Sequence, residues 1–241
     1  MSGLRVDQLS FAYGRKQALR EVSFHIPQGS FCALLGPNGA GKSTLFALLT
    51  RLFTSRDGKI EIAGHDLSHA PRKALKQMGV VFQQPTLDLD LTVHRNLTYF
   101  AALHGFSGRD ANTRIEAALD RLDMRERQKE TVRDLNGGHR RRLEIARSLI
   151  HTPSVLLLDE PTVGLDAATR KSITDHIHAL SQSEGLTVLW ATHLTDEIQD
   201  TDQLLILHQG RLLEDGKAQA LRGSQPLADH FLSLTEESMV A

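Results

Sequence analysis

The feature that most limits how this chain can fold is the run Gly36, Pro37, Asn38, Gly39, Ala40, Gly41, Lys42, Ser43. It follows an apolar segment of strand length ending at Leu35, and it precedes a stretch from Ser43 to Arg51 that reads as a helix. In that setting the run is a full match to a phosphate-binding loop. The chemistry requires these residue types. Glycines let the backbone wrap closely, successive N–H groups and a helix N-terminus point at phosphate oxygens, and Lys42 adds a mobile positive charge. Ser43 supplies a hydroxyl for Mg²⁺, and Thr44 continues the same loop-to-helix segment.

The rest of the chain must supply strands beside that loop. From Leu4 to Leu35 short alternating segments are punctuated by Pro27 and Gly29, which predicts antiparallel strands with tight turns. Asp57-Gly58 starts a further strand at about Lys59 to Ala63, and Gly79 to Phe82 is apolar enough for a buried one. Between about Thr92 and Ile150 the apolar spacing turns helical, which predicts a helical subdomain. Strand Val155 to Leu158, helix Ala167 to Glu184 closed by Gly185, and strands Thr187 to Ala191 and Leu204 to Leu207 follow. This alternation predicts an α/β chain with a mostly parallel sheet. From Ala218 onward the pattern is weakly helical.

A length of 241 residues suits one large domain or a core with a subdomain. Twenty-eight Lys plus Arg stand against 29 Asp plus Glu, so no global field draws the chain to nucleic acid, and no nucleic-acid partner is expected. Cys32, the single cysteine, excludes an intrachain disulfide, fits a reducing compartment and reads as a buried small hydrophobe. No run approaches the roughly 18 apolar residues of a membrane span. The N-terminal segment lacks the apolar block of a secretory signal, so a cytoplasmic location is expected. The 12 histidines show no zinc-ligand spacing: His176 and His178 do not share a helical face, His65 and His69 flank a polar loop, and surface histidines are expected. The run His139, Arg140, Arg141, Arg142 opens a helix with an apolar stripe, which favours a solvated or phosphate-facing helix start.

A phosphate loop lacks an acidic group for magnesium, and Val155-Leu-Leu-Leu158-Asp159-Glu160 supplies one at the end of a buried strand. Asp159 is the metal-ligand candidate. Glu160 is placed to orient or deprotonate an attacking water, a contribution of roughly 10² to 10⁴ in rate. Adjacent carboxylates at the C-terminal end of a strand beside a phosphate loop are what phosphoanhydride hydrolysis needs.

Five segments in order now carry a resemblance: the phosphate loop, Leu135-Asn-Gly-Gly-His139, Leu158-Asp-Glu-Pro-Thr162, Gly164-Leu-Asp166 and Ala191-Thr-His193. Together they resemble the ATP-binding cassette ATPases, over nearly the whole chain. The resemblance implies ATP and Mg²⁺ as cofactors and a RecA-like mixed-sheet core with an antiparallel β subdomain and an inserted α-helical subdomain. It divides 4–240 into a core of 4–86 and 151–220, a helical subdomain of 87–150, and a tail of 221–241. It implies that Gln83, with Gln84 as the alternative, touches magnesium and the attacking water. It implies further that His193 contacts the γ-phosphate, that Asp166 couples two ATP sites across a dimer, and that Tyr13 stacks on adenine.

The family's signature usually reads Leu-Ser-Gly-Gly-Gln, so Asn136 stands here for the serine and His139 for the glutamine. In the family this segment closes over a γ-phosphate held by a second subunit. Gly137 and Gly138 are retained, and an asparagine amide both donates hydrogen bonds and caps helices. The resemblance thus implies a motor subunit that pairs head to tail with a second copy and drives separate transmembrane permeases from the cytoplasmic face. Their docking place is expected at the groove beside Gln83 and the helical subdomain. The wording around Phe82 to Val93 is similar to export-type cassettes of the drug-resistance and ABC-2 group. The second reading is a soluble cassette ATPase in complex assembly, such as iron–sulfur cluster biogenesis.

Overall fold

The structure, a computed structural model, describes residues 2–240. Met1 and Ala241, the last residue of the expected tail, lie outside the described residues. Strands β1 (Ser2–Tyr13), β2 (Lys16–Pro27) and β3 (Phe31–Leu35) lead into helix α1 (Lys42–Leu49). Then come β4 (Lys59–Ile62), β5 (His65–Asp66), α2 (Pro71–Lys76) and β6 (Met78–Val81). Helices α3 (Val93–Leu103), α4 (Gly108–Arg121) and α5 (Gly137–Leu149) follow as a block. The chain returns through β7 (Val155–Asp159), α6 (Ala167–Glu184), β8 (Thr187–Thr192), β9 (Gln203–His208) and β10 (Arg211–Lys217), and ends in α7 (Ala218–Arg222) and α8 (Leu227–Val240).

Two sheets organise these elements. A six-stranded sheet runs β10-β9-β3-β8-β7-β6, parallel except for β10, and a four-stranded antiparallel sheet runs β2-β1-β4-β5. Side chains alternate across a strand, and here the alternation sorts the core. Leu156, Leu158, Val188 and Trp190 face a cluster that includes α3, α4, α5 and α6 residues. Val155, Leu157, Leu189 and Ala191 face the opposite cluster, built with α1 and the antiparallel sheet. Burial on both faces is why β7 and β8 read as continuous apolar runs. The strand C-termini, which carry Leu35, Asp159 and Thr192, therefore end side by side.

Three sequence expectations need correction. Phe31–Leu35 is not part of an antiparallel set: β3 runs parallel to both β8 and β9, and all five of its residues are buried. Its unbroken apolar character marks a strand covered on both faces. The histidines are not all at the surface, because His151, His178, His208 and His230 are buried. His178 stacks on Phe31 at 3.7 Å and sits 3.0 Å from the Asp202 carboxylate, so polar partners offset its burial. Nor is the basic run a simply solvated helix start. Arg141 turns inward, pairing with Glu144 at 2.7 Å. The weak helical pattern of the tail has a packing basis: Leu221, Leu227, Phe231 and Leu234 pack against Leu35, Leu204 and Ile206.

Candidate functional site

The phosphate loop leaves the end of β3, where Gly36 N–H donates to the Thr192 carbonyl at 3.3 Å. A Cβ on Gly36 would lie 2.5 Å from the Leu207 carbonyl oxygen, so only glycine fits. Gly41 has φ +114° at the N-cap of α1, in backbone space that favours glycine. It has no side chain to cap the helix, and the first-turn N–H groups of α1 remain available to an anion. Pro37, Asn38, Gly39, Gly41, Lys42, Ser43 and Thr44 line a cavity of ≈ 470 Å³, together with Tyr13, Gln83 and Glu160. Gly36 and Ala40 shape the loop without lining that cavity; Ala40 is packed into the core.

Lys42 is buried, and its ammonium is held by internal acceptors: Gly36 O at 2.5 Å, Pro37 O at 3.3 Å and Glu160 Oε1 at 3.1 Å. The other Glu160 oxygen accepts from Gln83 Nε2 at 3.1 Å and lies 3.4 Å from His193 Nδ1. Glu160 therefore gathers Lys42, Gln83 and His193 around one carboxylate. Its backbone sits at φ +46°, strained for a residue with a side chain, and its N–H is tied to Ala191 O at 3.0 Å. Asp159 beside it is also buried. Burial, and then the Glu160 charge, push the Asp159 carboxyl up to about 6 against an opposing pull from Lys42. Lys42 is ion-paired with one of these two adjacent buried carboxyls, Glu160.

Tyr13 closes one edge of the cavity at 48% exposure, set edge-on against Phe11 and Phe53 with its hydroxyl 3.4 Å from Thr44 Oγ1. Lys16, Gln17, Arg20 and Gln209 also line the cavity, and the sequence reading missed them. They carry no local motif. The fold delivers them, since Arg20 N–H donates to Gly210 O and Gly210 N–H to Ala40 O, each at 2.8 Å.

The signature segment lies elsewhere. Asn136 is the N-cap of α5, accepting from His139 N–H at 2.8 Å, and Asp166 is the N-cap of α6, accepting from Thr169 N–H at 2.9 Å. The Thr169 hydroxyl and N–H hold the Asp166 carboxyl below its usual range, while burial and then Arg127 and Arg142 lower the His139 imidazole. A Cβ on Gly138 would lie 2.6 Å from Thr169 Cγ2, and one on Gly137 3.2 Å from Leu165 Cδ2. The glycine pair thus brings the two helix starts together. None of Asn136, Gly137, Gly138, His139 and Asp166 lines the phosphate-loop cavity.

A second cavity of ≈ 700 Å³ lies between α3, β6 and the end of α5, walled by Phe82, Leu91, Tyr99, Phe100 and His151 among others. Arg141 joins it to the site, donating to Phe82 O at 2.9 Å and Gln83 O at 3.0 Å. Glu144 accepts the Thr86 N–H at 2.8 Å. The segment carrying Gln83 is thereby fastened to α5. Gln83, not Gln84, lines the phosphate-loop cavity.

A family model described as ABC transporter matches residues 19–163. The chain belongs to that family. It is 37% identical over 222 residues to the daunorubicin resistance ATP-binding protein DrrA3 of Streptomyces coeruleorubidus, across 92% of this chain and 70% of that protein. The linearmycin resistance ATP-binding protein LnrL of Bacillus subtilis (strain 168) is 33% identical, across 88% of this chain and 68% of its own length. Among solved structures, cbiO1 from Clostridium perfringens, part of the ABC transporter complex cbiONQ, superposes with a TM-score of 0.85 at 26% identity, covering 99% of this chain and 98% of that one. The cassette is the ATP-hydrolysing subunit of an ABC transporter. Among the described residues no helix is long and apolar enough to cross a membrane.

Proposed function

We propose that two copies of this cassette close head to tail over two ATP molecules and power export through separate permease subunits, working at the cytoplasmic face of the membrane. The observation that carries this reading is the separation within one chain. The phosphate-loop cavity contains no signature residue, and the capped N-termini of α5 and α6 carry Asn136 to His139 and Asp166 outside it. Each pocket is then completed by the other copy. The drug-resistance names of the relatives support export as the direction.

The residues fit Mg²⁺ because Asp159 and Glu160 are adjacent buried carboxyls, Lys42 is ion-paired to Glu160, and the Ser43 hydroxyl and Gln83 amide line the same cavity as Glu160. Ser43, Gln83 and Asp159 would hold the ion, which when bound neutralises charge on the β- and γ-phosphates. The chain's own groups do the rest. The α1 amides and Lys42 bind phosphate oxygens, which draws the Lys42 ammonium away from Gly36 O and Glu160. Glu160, so released, accepts the proton of the attacking water, Gln83 and His193 orient the water and the γ-phosphate, and Tyr13 stacks on the adenine. The partner copy's signature supplies Asn136 and helix N-terminal donors to the same γ-phosphate. Loss of that phosphate on hydrolysis releases the bridge between copies. The permease is read as seating on the ≈ 700 Å³ groove, where the Arg141 ties transmit movement of Gln83 to α5.

Sedimentation of the Glu160→Gln cassette tests this reading. With Mg²⁺ and ATP the variant is expected to sediment as a dimer, and without nucleotide as a monomer. A strictly monomeric wild type that hydrolyses ATP at full rate contradicts it.

A further inference from the structure

Four residues beyond His193, Glu197 ends the 3-10 helix Thr195–Glu197 and is only 4% exposed. A buried carboxylate is tolerated where donors satisfy it. Three do: the Thr162 hydroxyl donates to Oε1, while the Trp190 indole N–H at 3.0 Å and the Thr192 hydroxyl at 2.5 Å donate to Oε2. The three donors come from two motifs. Thr162 stands two residues after Glu160, and Trp190 and Thr192 sit on β8, which leads directly into His193. We propose that Glu197 is a positioning residue for hydrolysis, tying the Asp159–Thr162 loop to the His193 turn and thereby setting the separation of Glu160 from His193. This rests on the roles proposed above for those two side chains.

The surrounding bonds give the tie its leverage. Thr192 Oγ1 accepts the Leu194 N–H at 3.0 Å, so its hydroxyl proton is directed to Glu197 and its oxygen shapes the turn on which His193 sits. On the other side, Thr162 O accepts Leu165 N–H at 3.1 Å, one residue before Asp166. Glu160 itself is bound to β8 by one backbone bond, to Ala191 O, in a strained conformation. The turn's other backbone bonds, Val163 N–H to Glu160 O at 3.3 Å and Leu165 N–H to Thr162 O, are internal to it and do not reach β8. The carboxylate of Glu197 is the second fixed point, and it touches neither the cavity nor the loop that binds phosphate.

Thr162→Val keeps the side-chain shape and removes the hydroxyl that reaches Glu197. The expected result is a fall in kcat of about 10- to 100-fold, the size of loss that ~1 Å of misplacement brings, with ATP affinity by direct titration changed by less than about twofold. Thr162→Ser, which retains the hydroxyl, is expected to recover turnover. Glu197→Gln is expected to do the same within a few-fold, because its oxygen serves Trp190 and Thr192 while its NH₂ donates to the Thr162 oxygen. Should Thr162→Val not fold, Thr162→Ala removes the same hydroxyl and is compared with Thr162→Ser. Full turnover without the hydroxyl, or a kcat loss matched by an equal loss of ATP affinity, overturns the inference. Glu160→Gln, measured alongside, separates the two levels. Lost turnover there with full turnover in Thr162→Val removes the Glu197 tie alone, whereas wild-type turnover in Glu160→Gln removes the assigned roles and the tie with them.

Discussion

The phosphate loop and the signature face use the same physical device, a helix N-terminus, in opposite ways. At α1 the N-cap is Gly41, no side chain caps the helix, and Lys42 is parked on the loop's own carbonyls and on Glu160. At α5 and α6 the N-caps are Asn136 and Asp166, each satisfying an N–H of its own helix. The first terminus holds its donors for a ligand and keeps its charge in an internal pair that phosphate can displace. In the second pair a side chain satisfies one N–H of each helix and fixes its start, and the two starts are held together by glycine contacts at Gly137 and Gly138. In the function proposed above, one side rearranges on binding and the other presents a fixed surface to it.

The largest break in that contrast comes from the carboxylate that closes the internal pair. Glu160→Gln is expected to keep nucleotide binding while lowering turnover by roughly 10² to 10⁴, the worth of a well-placed base. Steady-state phosphate release and nucleotide titration on one preparation check it, and wild-type hydrolysis contradicts the water-activating role. Lys42→Ala comes next and acts on the other partner. Losing charge-assisted hydrogen bonds worth about 1.5 to 3 kcal/mol is expected to weaken ATP binding roughly 10- to 100-fold. Unchanged affinity in a direct titration removes that assignment.

On the signature side the effect is smaller, because the helix start keeps its glycines and its neighbours. Asn136→Ala removes an N-cap worth about 1 kcal/mol and, with it, the amide proposed to reach the partner's γ-phosphate. A roughly 5- to 30-fold loss in ATP-dependent dimerisation is expected, from about 1 to 2 kcal/mol. Dimerisation and turnover both untouched would falsify the donor role.

What the sequence made legible follows the same divide. Local motifs declare themselves: the loop glycines, the β7 carboxyls and the α6 span from Ala167 to Glu184 with Gly185 behind it are all set by short-range chemistry, and the structure has that helix at those residues. The parallel course of β3 was missed because its partners, β8 and β9, lie more than 150 residues away. Arg20 and Gln209 reach the cavity only through a backbone bond between two hairpins. Glu197 carries no motif signal in the reading made from sequence. Its significance lies in burial beside Thr162 and Trp190, which spacing along the chain does not reveal. Burial likewise overturned the surface reading of the histidines, since an imidazole is apolar enough to pack once its nitrogens are served.

One of those histidines sharpens the comparison from a third place, the groove, where no N-terminus is involved. His151 donates Nε2–H to Met78 O at 3.1 Å and stacks on His104 at 4.2 Å, and its Nδ1 is buried without a partner among the described residues. Burial first, then His104, push the imidazole from 6.5 down to about 4, and burial lowers His104 in the same direction. The folded chain therefore binds this proton more weakly than the unfolded chain, so stability rises with pH between about 4 and 6.5 and falls as acid is added. At pH 5 the loss relative to pH 7 is about 2 kcal/mol from this group. His151→Phe keeps the stack and removes the titration. Its neutral-pH stability is expected to drop by about 1 kcal/mol for the Met78 bond, while its urea midpoint changes less between pH 7 and pH 5 than the wild type's. An identical pH dependence in both proteins would show that the groove histidine is not what acid attacks; the raised Asp159 carboxyl could not take its place, because a group that binds its proton more tightly in the folded chain is stabilised by acid.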